Sequence, residues 1–222
     1  MSACLELTRE EMLRYLNEIN RKLKADGKHG EIVLAGGAAL ALVFNARNST
    51  RDIDAIFAPT HYMNAIIAEI ADENENLSYD WLNDGVKRFV TDRMNYSDFL
   101  TLSNLTIYSI DAEGLLAMKL TAHRVDSKDM DDSIFLMKVL DISTVSQTLD
   151  IVEKYTHKSR QTPETRVFAI EVFERYQAEK TTHKQKSTKS DFRERLEAAK
   201  GVVEAHNQQT KKSPRQSNEI KE

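Results

Sequence analysis

Hydrophobic positions along this chain follow two rhythms, and the switch between them outlines its elements. Met12, Leu13, Leu16, Ile19 and Leu23 fall three or four residues apart, which predicts a helix. Thr8-Arg9-Glu10-Glu11 just ahead reads as a capping box, and Gly27 as the helix stop. Glu31 to Ala35 is short, apolar and flanked by turn residues, as in a buried strand. Gly36-Gly37 follows, and Ala38 to Phe44 is rich in alanine and leucine like a helix. From Asp52 to Phe57 the rhythm becomes alternation, with Asp52 and Asp54 on one face and Ile53 and Ala55 on the other. Pro59-Thr60 leads into a helix from His61 to Asp72, whose apolar residues are Met63, Ile66, Ile67 and Ile70.

Val86–Thr91 and Asp98–Leu102 are candidate strands, and Leu105–Ile110 is a clearer one. Asp111 is placed to cap the next helix, which carries Leu115, Leu116, Met118, Leu120 and Ala122. Further helices are predicted over Lys128–Leu140, Thr144–Tyr155 and Pro163–Ala178, the last with Thr162 as cap and Pro163 at its first position. The pattern predicts an α+β fold, a small mixed sheet flanked by helices. Residues 1–142 would form the core with its N-terminal helix, 143–178 a C-terminal helical part, and 179–222 a polar, partly disordered tail. One further helical patch stands around Phe192–Ala205. Residues 180–222 hold eight Lys and three Arg against six Asp and Glu, a net of +5. Such a segment is solvated and can attract RNA or an acidic partner.

Composition narrows the class. The 222 residues are 41% hydrophobic and 30% charged with a net charge of −4, so a real core is expected and no global nucleic-acid signature stands out. Cys4 is the only cysteine, which excludes an intrachain disulfide and a cysteine-based zinc site. No signal peptide or membrane-spanning stretch is visible, so a cytoplasmic protein without membrane contact is expected.

The chemistry concentrates between Gly36 and Asp54. A glycine pair between strand and helix lets the backbone approach a ligand, and a helix start favours an anion. Asp52 and Asp54 share a strand face, where their carboxylates repel unless a cation lies between them. Magnesium fits: it takes oxygen ligands and shares them with substrate phosphates. A tight turn and a solvated acidic face are the plainer readings of these two features. The buried neighbours Ile53, Ile56 and Phe57 argue against the second.

Gly-Gly, then about a dozen residues, then Asp-x-Asp on a strand resembles the polymerase-beta-like nucleotidyltransferase superfamily. The string from Gly36 to Phe57, with Arg47 and Thr50 inside it, is similar to the bacterial nucleotidyltransferases related to the AbiEii toxin. It is closest to their branch of unknown function. A second block, Leu115 to Arg124 followed by Lys128-Asp129-Met130-Asp131-Asp132, supports the resemblance, which covers roughly residues 30 to 140. It implies that Gly36 and Gly37 hold a triphosphate, that Asp52 and Asp54 hold Mg2+, and that Lys119 contacts the triphosphate. Arg124 would orient phosphate or pair with Asp129, and Asp129 or Asp132 would orient Lys119 or the acceptor. His123, four residues from Lys119, reads as a surface or core histidine. Arg47 and Thr50 either touch substrate or stabilise the loop before the carboxylates. The implied activity is Mg-dependent transfer of NMP from an NTP to an acceptor hydroxyl. The implied setting is a toxin acting on RNA such as tRNA, or on protein, beside a cognate antitoxin. A third strand carboxylate usual in the superfamily has no clear counterpart: Asp92, Asp98 and Asp111 are the candidates. That departure leaves a non-catalytic, nucleotide-binding antitoxin or regulator as the alternative, with an antibiotic-modifying transferase as a third reading.

Overall fold

A computed structural model describes residues 6–122 and 127–182. The chain divides into a compact unit, Met1–Tyr176, and a second unit, Gln177–Glu222. The first unit opens with a two-residue strand, β1 (Leu7–Thr8), and helix α1 (Arg9–Ala25). The expected capping box is present: Glu11 N donates to the Thr8 hydroxyl at 3.2 Å, and Thr8 N donates to the Glu11 carboxylate at 2.8 Å. Gly27 follows with a φ of +61°, the left-handed conformation that glycine adopts freely.

Strand β2 (Gly30–Leu34) and helix α2 (Gly36–Leu42) come next, then β3 (Ser49–Thr50), β4 (Ile53–Ala58) and helix α3 (Thr60–Asp72). A two-residue strand, β5 (Leu82–Asn83), is followed by β6 (Tyr96–Thr101) and β7 (Leu105–Ile110). Helices α4 (Ala112–Ala122), α5 (Ser127–Val139) and α6 (Val145–Tyr155) follow, and a further helix begins at residue 163. The Asp111 carboxylate accepts from Gly114 N at 2.7 Å, the expected cap of α4. Of the second unit, residues 177–182 are described and are helical. The helical patch expected around Phe192–Ala205 lies outside the described residues.

The central sheet has the order β5-β4-β2-β7-β6. β2 runs antiparallel to β4 and parallel to β7; β4–β5 is parallel and β6–β7 antiparallel. The result is the mixed, helix-flanked α+β sheet that the hydrophobic pattern predicts. One face carries Ile32, Leu34, Ile53, Ala55, Phe57, Leu105 and Ile107, all buried. Helices α1 and α3 pack together and reach β7 and β4 respectively, closing a core with Leu16, Ile19, Met63 and Ile70. β1 pairs with β3, Leu7 opposite Thr50, which ties the chain's start to the loop before the carboxylates.

The candidate strand Val86–Thr91 is a correction. Gly85–Arg88 forms a single 3₁₀ turn, and an open loop follows it. The Asn83 side chain accepts from Gly85 N at 3.1 Å, which bends the chain before any ladder can form.

Candidate active site

The two glycines serve different neighbours. Ala35 N donates to Asp54 O at 2.9 Å, extending the β2–β4 pairing up to the turn. Gly36 then takes a φ of +54°, and a β-carbon there would lie 2.6 Å from Asp54 Oδ2. Gly36 is therefore required both by its backbone conformation and by the carboxylate against it. At Gly37 a β-carbon would lie 2.5 Å from Thr50 Oγ1 and 3.0 Å from Arg47 Nη1. Gly37 thus makes room for the loop residues that seat β3 and Arg47. Ala35, the N-cap of α2, supplies no side-chain cap to the first-turn N–H groups.

β4 begins at Ile53, one residue later than expected, so Asp52 stands just ahead of it and Asp54 lies within it. Both are half-buried, and both line a cleft of about 220 Å³ together with Gly36, Asn83, Lys119 and Asp129. β5 sets the far wall: Asn83 is in register with Asp54, and its Nδ2 donates to Asp52 Oδ2 at 3.4 Å. Asn83 is thus the polar residue beside the carboxylates on the adjoining strand. None of the three candidates for a third acid lines this cleft: Asp98 is on β6 at the opposite sheet edge, Asp111 caps α4, and Asp92 borders a separate depression. Among the described residues no group of three or more His, Cys, Asp or Glu is gathered as a metal-ligand set. Two carboxylates are nevertheless the right donors for a hard cation that completes its shell with substrate phosphate oxygens and water. The residues present fit magnesium on that basis.

Lys119 does not reach out to solvent from α4; its side chain is 14% exposed. Its ammonium donates to Asp129 Oδ1 at 2.7 Å and approaches Asp132 Oδ2 at 2.8 Å. Arg47 completes the cluster, gripping both oxygens of Asp132 in a fork, with its Nε at 2.8 Å from Oδ1. Two cations and two carboxylates thus neutralise one another between α4, α5 and the loop that Gly37 accommodates. Asp132 meets the cleft only through Lys119, whereas Asp129 lines it directly. Asp129 Oδ2 is buried with no hydrogen-bond partner. A buried carboxylate oxygen without a donor is costly.

The structure therefore brings Gly36, Asp52, Asp54, Lys119 and Asp129 to one cleft, and sets Gly37 and Asp132 immediately behind it. Arg124 and His123 lie outside the described residues. The pattern of the sequence missed Asn83, Val86, Arg88, Phe89 and Met118, which also line the cleft. A mixed five-stranded sheet, a glycine turn against a paired-carboxylate strand and a part-buried lysine beside them are features of a protein of the nucleotidyltransferase type. The chain belongs to the family described as nucleotidyltransferase of unknown function (DUF6036), whose model matches residues 10–182. No curated protein and no solved structure matches the chain significantly. No helix among the described residues is long and apolar enough to cross a membrane.

Proposed function

We propose that the cleft binds a magnesium–NTP and transfers its nucleotidyl group to an acceptor hydroxyl, whose oxygen bonds the α-phosphorus as the bond to the β-phosphate breaks and pyrophosphate leaves. The observation that carries the reading is the convergence of Asp52, Asp54, Lys119 and Asp129 on one cleft beside the Gly36 turn. Asp52 and Asp54 would hold the metal, which when bound supplies charge neutralisation and polarises the α-phosphate. Lys119 is a point charge for phosphate oxygens, held in place by Asp129 and Asp132. Asp129, which lines the cleft beside Lys119, would accept the proton that the acceptor hydroxyl loses on attack. Similarity to the AbiEii-related enzymes favours an RNA such as tRNA, or a protein, as acceptor, in a toxin–antitoxin pair. The net charge of +5 over residues 180–222 is consistent with an RNA.

A second reading has its own observation. Asn83, an amide, stands beside Asp54 where a further carboxylate would strengthen metal binding. This favours a protein that binds Mg-NTP without turning it over, as a regulator or antitoxin.

Purified full-length protein, incubated with each α-labelled NTP, magnesium and total RNA or protein, is expected to transfer label. The Asp52→Ala/Asp54→Ala variant is expected to transfer none. Saturable Mg-NTP binding without transfer to any acceptor would favour the second reading, and equal behaviour of wild type and variant would remove both.

A further inference from the structure

The cleft has a second wall that phosphate and metal do not use. Directly after Asn83 the chain makes its 3₁₀ turn, and Val86, Arg88 and Phe89 line the cleft from there. Met118 and Ala122 line it too, preceding Lys119 by one residue and following it by nearly one helical turn. The same stretches of chain that supply Asn83 and Lys119 thus also place Val86, Phe89, Met118 and Ala122, with Arg88 among them, on the cleft.

Phe89 is the flat element of that surface. It is half-buried, and the guanidinium carbon of Arg160 sits 4.0 Å from its ring centroid. The guanidinium carbon of Arg88 is 5.2 Å from the same centroid. Such cation–π contacts favour one placement of a ring that also lines the cleft. An aromatic ring beside a phosphate-type site can serve as a stacking platform, because every nucleobase has a π face. Of the polar side chains on this wall, Arg88 stands against the Phe89 ring and Asn83 beside the carboxylates. The Asn83 amide is already committed: it donates to Asp52 Oδ2 and Asp80 O, and accepts from Gly85 N. Stacking without edge reading tolerates different bases.

We propose that Phe89 is the platform for the nucleobase of the bound NTP. The 86–89 wall then holds the nucleoside end while Asp52, Asp54 and Lys119 hold the phosphates, with little discrimination among bases. This rests on the Mg-NTP reading above.

The test compares Mg-NTP with magnesium inorganic triphosphate by titration calorimetry, for wild type, Phe89→Ala and Phe89→Trp. Wild type is expected to bind each NTP on the order of tenfold or more tighter than triphosphate. Phe89→Ala should lose that difference and keep triphosphate affinity, which also shows that its cleft is folded. Phe89→Trp should retain it, and the four NTPs should fall within about tenfold of one another. The proposal is overturned if wild type binds NTP no tighter than triphosphate, if Phe89→Ala weakens both ligands equally, or if one base is preferred by well over that margin. Binding of neither ligand would instead sink the nucleotide reading itself, and the base site with it.

Discussion

At Gly36 a single side chain would meet two obstacles. The φ of +54° disfavours any L-residue, and a β-carbon would press on Asp54 Oδ2 at 2.6 Å. Gly36→Ala is therefore expected to cost roughly 1–2 kcal/mol in stability from the backbone alone, and to weaken Mg-NTP binding by pushing Asp54 aside. Thermal denaturation and calorimetry separate the two effects; unchanged nucleotide affinity would mean that the carboxylate is not held where the ligand needs it. Asp129 makes a different prediction, because one of its oxygens serves Lys119 and the other has no partner. Asp129→Asn keeps the shape but cannot take a proton. The expected result is a loss of about a hundredfold or more in kcat with KM for the NTP much less affected. A KM effect alone would assign the residue to holding Lys119.

Between elements, the cluster of Arg47, Lys119, Asp129 and Asp132 clamps α4 and α5 to the loop before β4. Asp132 is the shared partner of both cations, and its side chain is 7% exposed. Asp132→Ala leaves Arg47 without its ion-pair partner in a largely buried position, so a loss of about 3–5 kcal/mol is expected in denaturant unfolding. A second tie joins α4 to α6: the Tyr155 hydroxyl donates to Glu113 at 2.6 Å, and Lys154 approaches it at 3.2 Å. The Tyr155 hydroxyl, with Lys154 beside it, holds the Glu113 carboxyl below the usual carboxylate range, outweighing its partial burial. Its folded pKa is thus lower than its unfolded one. The stabilisation is fully present above the unfolded value and disappears as the pH falls through the depressed folded value. Glu113→Gln should lower stability at neutral pH and flatten its dependence on pH in the acid range; an unchanged acid limb would remove this account. Much of this element level was legible in the sequence. α1 carries its own period and capping box, α3 its own period, β2 and β7 short apolar runs, and α4 its own cap. The 3₁₀ turn was not, because Val86, Phe89 and Val90 mixed with Lys87 and Arg88 mimic a half-buried strand. β5 is two residues long, too short to show any period.

At the scale of the whole molecule, the site is made by sheet order. β4 lies between β2, which ends in the glycine turn, and β5, which ends in Asn83, so three separate segments meet at the carboxylates. The Gly36–Asp54 half of the site is local in sequence and could be read directly. The other half depends on pairings across the fold. Arg47 and Asp132 are 85 residues apart, and nothing near either one announces the other. Phe89 was hidden for the same reason, since it packs against Arg160, 71 residues further along the chain. The central claim is that Asp52, Asp54 and Lys119 act together on one phosphate chain. A crystal structure of the full chain with magnesium and a non-hydrolysable NTP analogue tests it most directly. Metal is expected on the Asp52 and Asp54 carboxylates, with the triphosphate between them and Lys119. Nucleotide bound elsewhere, or a triphosphate that Lys119 does not contact, would contradict it.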